Sequence, residues 1–172
     1  MSEPFATAAQ RLDAAEFAAE FPHSYLCFAA GPLLSEEGED GLPPTARHNL
    51  DETHEAPLPT LENPAKLHVV PILKREGVNP FPRKITFGRG RNNDVRIPYS
   101  DVSKLHGYFS RDGEGWVITD AGSTNGTFLA GDRLSPRTAA PLAFGTVLVI
   151  GSVESRVLQG AALHEFLQPQ TS

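Results

Sequence analysis

Residues 84–129 read KITFGRGRNNDVRIPYSDVSKLHGYFSRDGEGWVITDAGSTNGTFL. Five short runs in this stretch favour extended backbone: Lys84–Phe87, Asp94–Ile97, Gly107–Ser110, Trp116–Thr119 and Thr127–Leu129. Gly, Asn, Asp or Pro stands in nearly every gap. Short strands punctuated in this way predict an all-β fold, a sandwich of antiparallel strands, because turn residues reverse the chain before a helix can propagate. Outward from this stretch, Leu67–Leu73, Thr146–Ile150 and Ser152–Leu158 extend the same pattern. No internal repeat is visible.

The flanks differ in character. After Gly160, Leu163, Phe166 and Leu167 fall at helical spacing before Pro169, which predicts a short C-terminal helix that must pack on something. Residues 5–21 are rich in Ala and other helix formers and stop at Pro22, which predicts a short N-terminal helix. Tyr25-Leu26-Cys27-Phe28 is an apolar run closed by Gly31-Pro32 and reads as a strand docking elsewhere. From 35 to 65, prolines and acidic residues with only Arg47 opposing them predict a disordered linker, since little apolar surface is available to offset the entropy of ordering. The expected division is therefore 1–34, a helical and extended segment; 35–65, an acidic linker; 66–158, the sandwich; and 159–172, a helix and tail.

Charge is unevenly spread. Residues 1–66 hold 3 Lys+Arg against 12 Asp+Glu, and residues 67–172 hold 12 against 9. A mildly basic domain on an acidic chain of net charge −6 prefers anionic ligands but is a poor general nucleic-acid binder. The single Cys27 excludes an internal disulfide framework and fits a reducing compartment. No apolar run approaches the ~18 residues of a membrane span, and the N-terminus lacks a signal-peptide pattern. The expectation is a cytoplasmic protein with no membrane partner.

The polar clusters all fall between predicted strands: Gly88-Arg89, Asn93-Asp94, Ser103-Lys104-Leu105-His106 and Ser123-Thr124-Asn125-Gly126-Thr127. Loops of a sandwich gather at its two ends, so such clusters can converge. Arg offers a planar fork of donors to phosphate oxygens, and Ser, Thr and Asn add neutral hydrogen bonds. Such a set recognises an anion without attacking it.

In their order and spacing, these four clusters resemble the forkhead-associated (FHA) family, whose signature is Gly-Arg, Asn-Asp, Ser-x-x-His and Ser-x-Asn-Gly-Thr. Each element alone is weak; the ordered set is specific, and it covers residues 66–158. The resemblance implies an FHA-type β-sandwich that binds phosphothreonine peptides. By position, Arg89 and Ser103 are implied as phosphate ligands, and Lys104 as a contact to phosphate or peptide backbone. Thr124 is implied to shape a niche favouring the threonine methyl, and Asn125 to hold the peptide backbone. Gly88, Asn93, Asp94, His106 and Gly126 are implied as supports of the binding loops. Two departures stand out: Gly107 replaces a usual Ala, and Ala130-Gly131 stands where Asn-Gly is common.

Arg89 alone would pass for a surface residue, and Asn125-Gly126 is also a hairpin signal. Gly88-x-Gly90 lacks the third glycine of a dinucleotide loop and precedes a strand rather than a helix. No nucleophile-elbow pattern surrounds Ser103, and the histidines show no zinc spacing. The sequence thus predicts a non-catalytic phosphothreonine-peptide adaptor without cofactor or metal. Its partner is expected to be the substrate of a Ser/Thr protein kinase, or its own tail phosphorylated at Thr45, Thr53 or Thr60. The alternative is phosphate-independent scaffolding or oligomerisation through a sandwich face or the N-terminal segment.

Overall fold

The computed structural model describes residues 5–29, 67–113 and 115–168. The segment expected to be a linker, with Thr45, Thr53 and Thr60, lies outside the described residues. Within them, eleven strands form two sheets. The larger sheet has the order β2 (Leu67–Pro71), β1 (Ser24–Ala29), β11 (Val153–Gln159), β10 (Val147–Ile150), β7 (Thr127–Leu129) and β8 (Asp132–Arg133). The smaller has the order β4 (Val95–Arg96), β3 (Ile85–Gly88), β5 (Gly107–Asp112), β6 (Gly115–Asp120) and β9 (Ala140–Leu142). Among the described strands, only β3 and β4 pair in parallel. The sandwich expected from the sequence is the fold. Its inner faces bury Leu26, Phe28, Phe87, Phe109, Ile118, Leu148, Ile150 and Val157 in one core.

One strand sits where the sequence did not put it. Residues 1–34 were set apart from the sandwich, yet β1 lies between β2 and β11, with Leu26 opposite Val70 on one side and Val157 on the other. Leu26 and Phe28 face the inter-sheet core, while Tyr25 and Cys27 belong to a second cluster on the outer face. A strand buried on both faces has no polar alternation, so its sequence reads as a strand without showing which sheet it joins.

The second cluster explains the helices. The expected single N-terminal helix is two, α1 (Phe5–Arg11) and α2 (Ala14–Glu20). Asp13 breaks the run by capping α2: its carboxylate accepts from the amides of Ala15 and Glu16, and Glu16 answers to the Asp13 amide. α3 (Gly160–Leu167) packs on both, burying Leu163 and Leu167 beside Ala8, Ala9 and Phe17. His164 Nε2 donates to the Leu12 carbonyl at 2.8 Å, and the Gln168 amide to that of Ala9. Each such fully buried Phe or Leu contributes roughly 1.5–3 kcal/mol, enough to order helices too short to stand alone.

The β7–β8 turn tests a departure noted above. Ala130 and Gly131 have φ of 51° and 88°, so both central residues of this two-residue hairpin loop are left-handed. That is the geometry for which Asn-Gly is favoured. Ala130→Asn is expected to raise stability by about 0.5–1 kcal/mol, read as a higher denaturant midpoint at unchanged slope. A lower midpoint would contradict it.

Candidate functional site

Three loops meet at one end of the sandwich. The β3–β4 loop is stitched to the β4–β5 loop by backbone bonds from Arg89 N–H to the Ser103 carbonyl, 2.9 Å, and from Gly90 N–H to that of Lys104, 3.1 Å. The β6–β7 loop joins through the Thr124 amide, which donates to Ser103 Oγ at 3.1 Å, and the Asn125 side chain, which donates to the Asp101 carbonyl at 2.8 Å. Arg89, Ser103, Thr124 and Asn125, distant in sequence, are thus neighbours around Asp101–Ser103. Lys104 joins the same loop, with its side chain exposed.

Arg89 is half-buried, and its Nε donates to the Val102 carbonyl at 3.1 Å. That bond fixes the guanidinium plane and leaves its terminal N–H groups without a partner among the described residues. The Ser103 hydroxyl accepts from Thr124, and its own hydrogen remains to be given. The result is a cluster of oriented donors, a geometry suited to a tetrahedral oxyanion.

The supporting residues act through buried bonds. A Cβ on Gly88 would lie 2.4 Å from the Lys104 carbonyl oxygen and 2.8 Å from that of Ser103, so only glycine lets β3 and the β4–β5 loop touch. Asn93 is buried and donates to the carbonyls of Gly90 and Lys104. Asp94 is the tie between loop and sheet. Its carboxylate accepts from Lys74 Nζ at 2.9 Å, the Arg75 amide at 2.8 Å, the Asn79 side chain at 3.1 Å, and the Thr86 amide and hydroxyl. Burial alone would raise its pKa, but these donors outweigh that and hold the carboxyl at about 2.

His106, fully buried and stacked on Phe87, accepts from the Ser103 amide at Nδ1 and donates from Nε2 to the Gly126 carbonyl at 3.0 Å. Both ring nitrogens are engaged, so neither serves as a base for the Ser103 hydroxyl. Burial pushes the pKa of His106 down, against the opposing pull of Gly126 and Asp120. Because the folded pKa lies below the unfolded value of ~6.5, the neutral ring's contribution is full above that pH and falls away below it. Imidazole ¹⁵N shifts should report the Nε2–H tautomer with a midpoint below 6.5. A midpoint above 6.5 would refute this arrangement.

Gly126, with φ of 86°, makes the turn that presents its carbonyl to His106. Gly107 is explained too: a Cβ there would meet Thr119 O at 2.5 Å and the Phe87 ring at 2.6 Å. Sequence reasoning passed over Asp120 as a site residue. It is buried, and its two oxygens accept from the amides of Gly122 and Ser123 and the hydroxyls of Ser123 and Thr127, all within 2.8 Å. This carboxylate shapes the loop that carries Thr124 and Asn125. An Asp two to three residues before Gly-Ser at a strand end is an Asx-turn signal that would have found it.

Comparisons with known proteins fall on the stretch that carries these loops. The family model for the FHA domain matches residues 85–151. An FHA domain-containing protein of Arabidopsis thaliana is 37% identical over 65 residues, 38% of this chain and 17% of that relative's length. The solution structure of the FHA domain of an Arabidopsis thaliana hypothetical protein is 28% identical, covering 57% of this chain and 78% of that one with a TM-score of 0.43. Mycobacterium tuberculosis EmbR, solved in complex with a low-affinity phosphopeptide, is 27% identical over 45% of this chain and 20% of its own, with a TM-score of 0.41.

Proposed function

Residues 85–151 form an FHA domain, and from that premise we propose that the chain is a non-catalytic adaptor that binds phosphothreonine segments of proteins marked by a Ser/Thr kinase. The observation that carries this reading is the Arg89 guanidinium, anchored through Nε beside a Ser103 hydroxyl whose hydrogen is unused. In this reading Arg89 and Ser103 grip the phosphate, and Lys104 adds charge. Thr124 borders the threonine methyl, and Asn125 holds the peptide backbone.

Calorimetry with the full chain and three matched peptides tests it. Phosphothreonine should bind, unphosphorylated threonine should not, and phosphoserine should bind about fourfold more weakly for want of one buried methyl, ~0.8 kcal/mol. Equal affinity for phosphorylated and unphosphorylated peptides would defeat the proposal. A fragment beginning at residue 66 is unsuitable, because it removes β1 from the middle of the larger sheet.

The chain's own residues 30–66 are a second source of the same ligand. β1 ends at Ala29 paired with Leu67, where β2 begins. That end of the sheet adjoins the site: Phe28 contacts Tyr99, and the Gly151 amide donates to the Gly126 carbonyl. A tether fixed at both ends beside the site gives a local concentration on the order of millimolar. Phosphorylated Thr45, Thr53 or Thr60 would then compete with outside peptides, and NMR shifts at Arg89, Ser103 and Asn125 after phosphorylation would report it. Unmoved resonances with unchanged peptide affinity would exclude it.

A further inference from the structure

Beyond the residues that would hold phosphate and peptide backbone, two arginines on the segment from β8 to β9 bracket the same loop. Arg133 lies over its exit: a Cβ on Gly126 would be 2.8 Å from the Arg133 Nε, and the guanidinium also stands 6.0 Å from the Phe128 ring. Arg137 lies at its entry, with a terminal nitrogen 3.8 Å from where a Gly122 Cβ would be. Between those glycines stand Ser123, Thr124 and Asn125. Both arginines are exposed, and neither forms an ion pair among the described residues. The nearest carboxylate of the loop, Asp120, has both oxygens committed to the loop's own donors.

The backbone at Arg137 adds a separate sign. Its φ is 60°, left-handed, in a turn with Pro136 where the Thr138 amide returns to the Ser135 carbonyl. Gly or Asn would take that corner without strain, whereas another L-residue costs of order 1 kcal/mol or more. The Arg137 amide donates to the Asp120 carbonyl at 2.7 Å, which fixes this corner against the base of the loop. A strained position that places an unpaired guanidinium beside a binding loop points from geometry to use.

We propose that Arg133 and Arg137 form a cationic subsite that selects phosphothreonine segments with an acidic side chain next to the phosphorylated residue. The inference rests on the phosphopeptide reading above and adds the ligand's flanking chemistry. The subsite is solvent-exposed, so each carboxylate–guanidinium pair adds a few-fold at most and weakens with salt. The chain's own Asp51-Glu52-Thr53-His54-Glu55 has this composition, with acidic residues on both sides of Thr53.

Fluorescence anisotropy on the full chain at low salt decides it, using a phosphothreonine peptide with alanine flanks and a set with one Glu moved through the flanking positions. At one or more positions Glu should tighten binding about two- to fivefold. The double substitution Arg133→Gln, Arg137→Gln should bring that ratio to about one, while affinity for the alanine-flanked phosphopeptide changes less than about twofold. Arg137→Glu should shift the preference toward Lys-flanked peptides, an outcome that misfolding cannot produce. A ratio near one in the unaltered chain, or one that survives the double substitution, overturns the subsite. A gain seen only with a second phosphate in place of Glu overturns the carboxylate assignment. Failure of the alanine-flanked phosphopeptide to bind at all would overturn the phosphopeptide reading itself, and this inference with it.

Discussion

Asp94→Ala is expected to destabilise the chain by about 3–5 kcal/mol, a lowering of the unfolding midpoint on the order of 10 °C. The carboxylate is fully buried and receives Lys74, Arg75, Asn79 and Thr86 at once. Removing it strips Lys74 of its counter-charge, leaving it only Asn79 and the Lys84 carbonyl, and takes the acceptor from the Arg75 and Thr86 amides; such orphaned donors cost more than the bonds themselves were worth. Asp94→Asn should also be damaging, because an amide nitrogen would then face donors. The pH dependence follows the same carboxylate. Its folded pKa of about 2 lies below the ordinary aspartate value of 3.8, so its contribution is complete above roughly pH 4 and is lost as pH falls toward 2. The difference is worth about 2 kcal/mol. Denaturant unfolding at pH 7 and pH 3, for the unaltered chain and the variant, checks both; a loss under about 1 kcal/mol at pH 7 would show that other contacts hold the loop.

Arg89→Ala is expected to weaken phosphopeptide binding tenfold or more, since each charge-assisted hydrogen bond contributes about 1.5–3 kcal/mol. Arg89→Lys should recover little. Lysine has no Nε–H to hold the Val102 carbonyl, and its ammonium cannot present a fork to two oxygens. Both variants should remain folded, because the group that meets solvent is the one removed and only the 3.1 Å bond to Val102 is lost from the interior. Calorimetry on variants with near-unchanged thermal midpoints separates binding from stability. An Arg89→Ala chain that binds as well as the original would remove Arg89 from the site and the phosphate reading with it.

Much of the site was legible because its chemistry is local. Gly88-Arg89, Asn93-Asp94, Ser103 with His106, and Asn125-Gly126 are each a strand end or turn whose residue types reflect a backbone need: close approach at Gly88, left-handed φ at Gly126. Asp120, one residue past the predicted Trp116–Thr119 run, carried no site reading from the sequence. Its role depends on which hydroxyls the fold brings to it, and Thr127 reaches it from the far side of the loop. β8 and β9 went unseen for a related reason. Two or three residues, one of them Pro141, give no period to read and become strands only because β7 and β6 lie beside them.

The sequence by itself determined the strand runs from Leu67 onward other than β8 and β9, the turn positions between them, the charge division near residue 66 and the order of the polar clusters. These follow from backbone preference and side-chain chemistry at each position, which neighbours in sequence suffice to express. Only the tertiary structure decided that Ser24–Ala29 is an interior strand paired with Val153–Gln159, across most of the chain. It alone decided that three short helices cover the outer face of that sheet. It also decided that Arg133 and Arg137 flank the loop of Thr124 and Asn125. Pairing over such separations is selected by the burial of whole faces, and a local pattern carries no record of which distant segment will supply the other half.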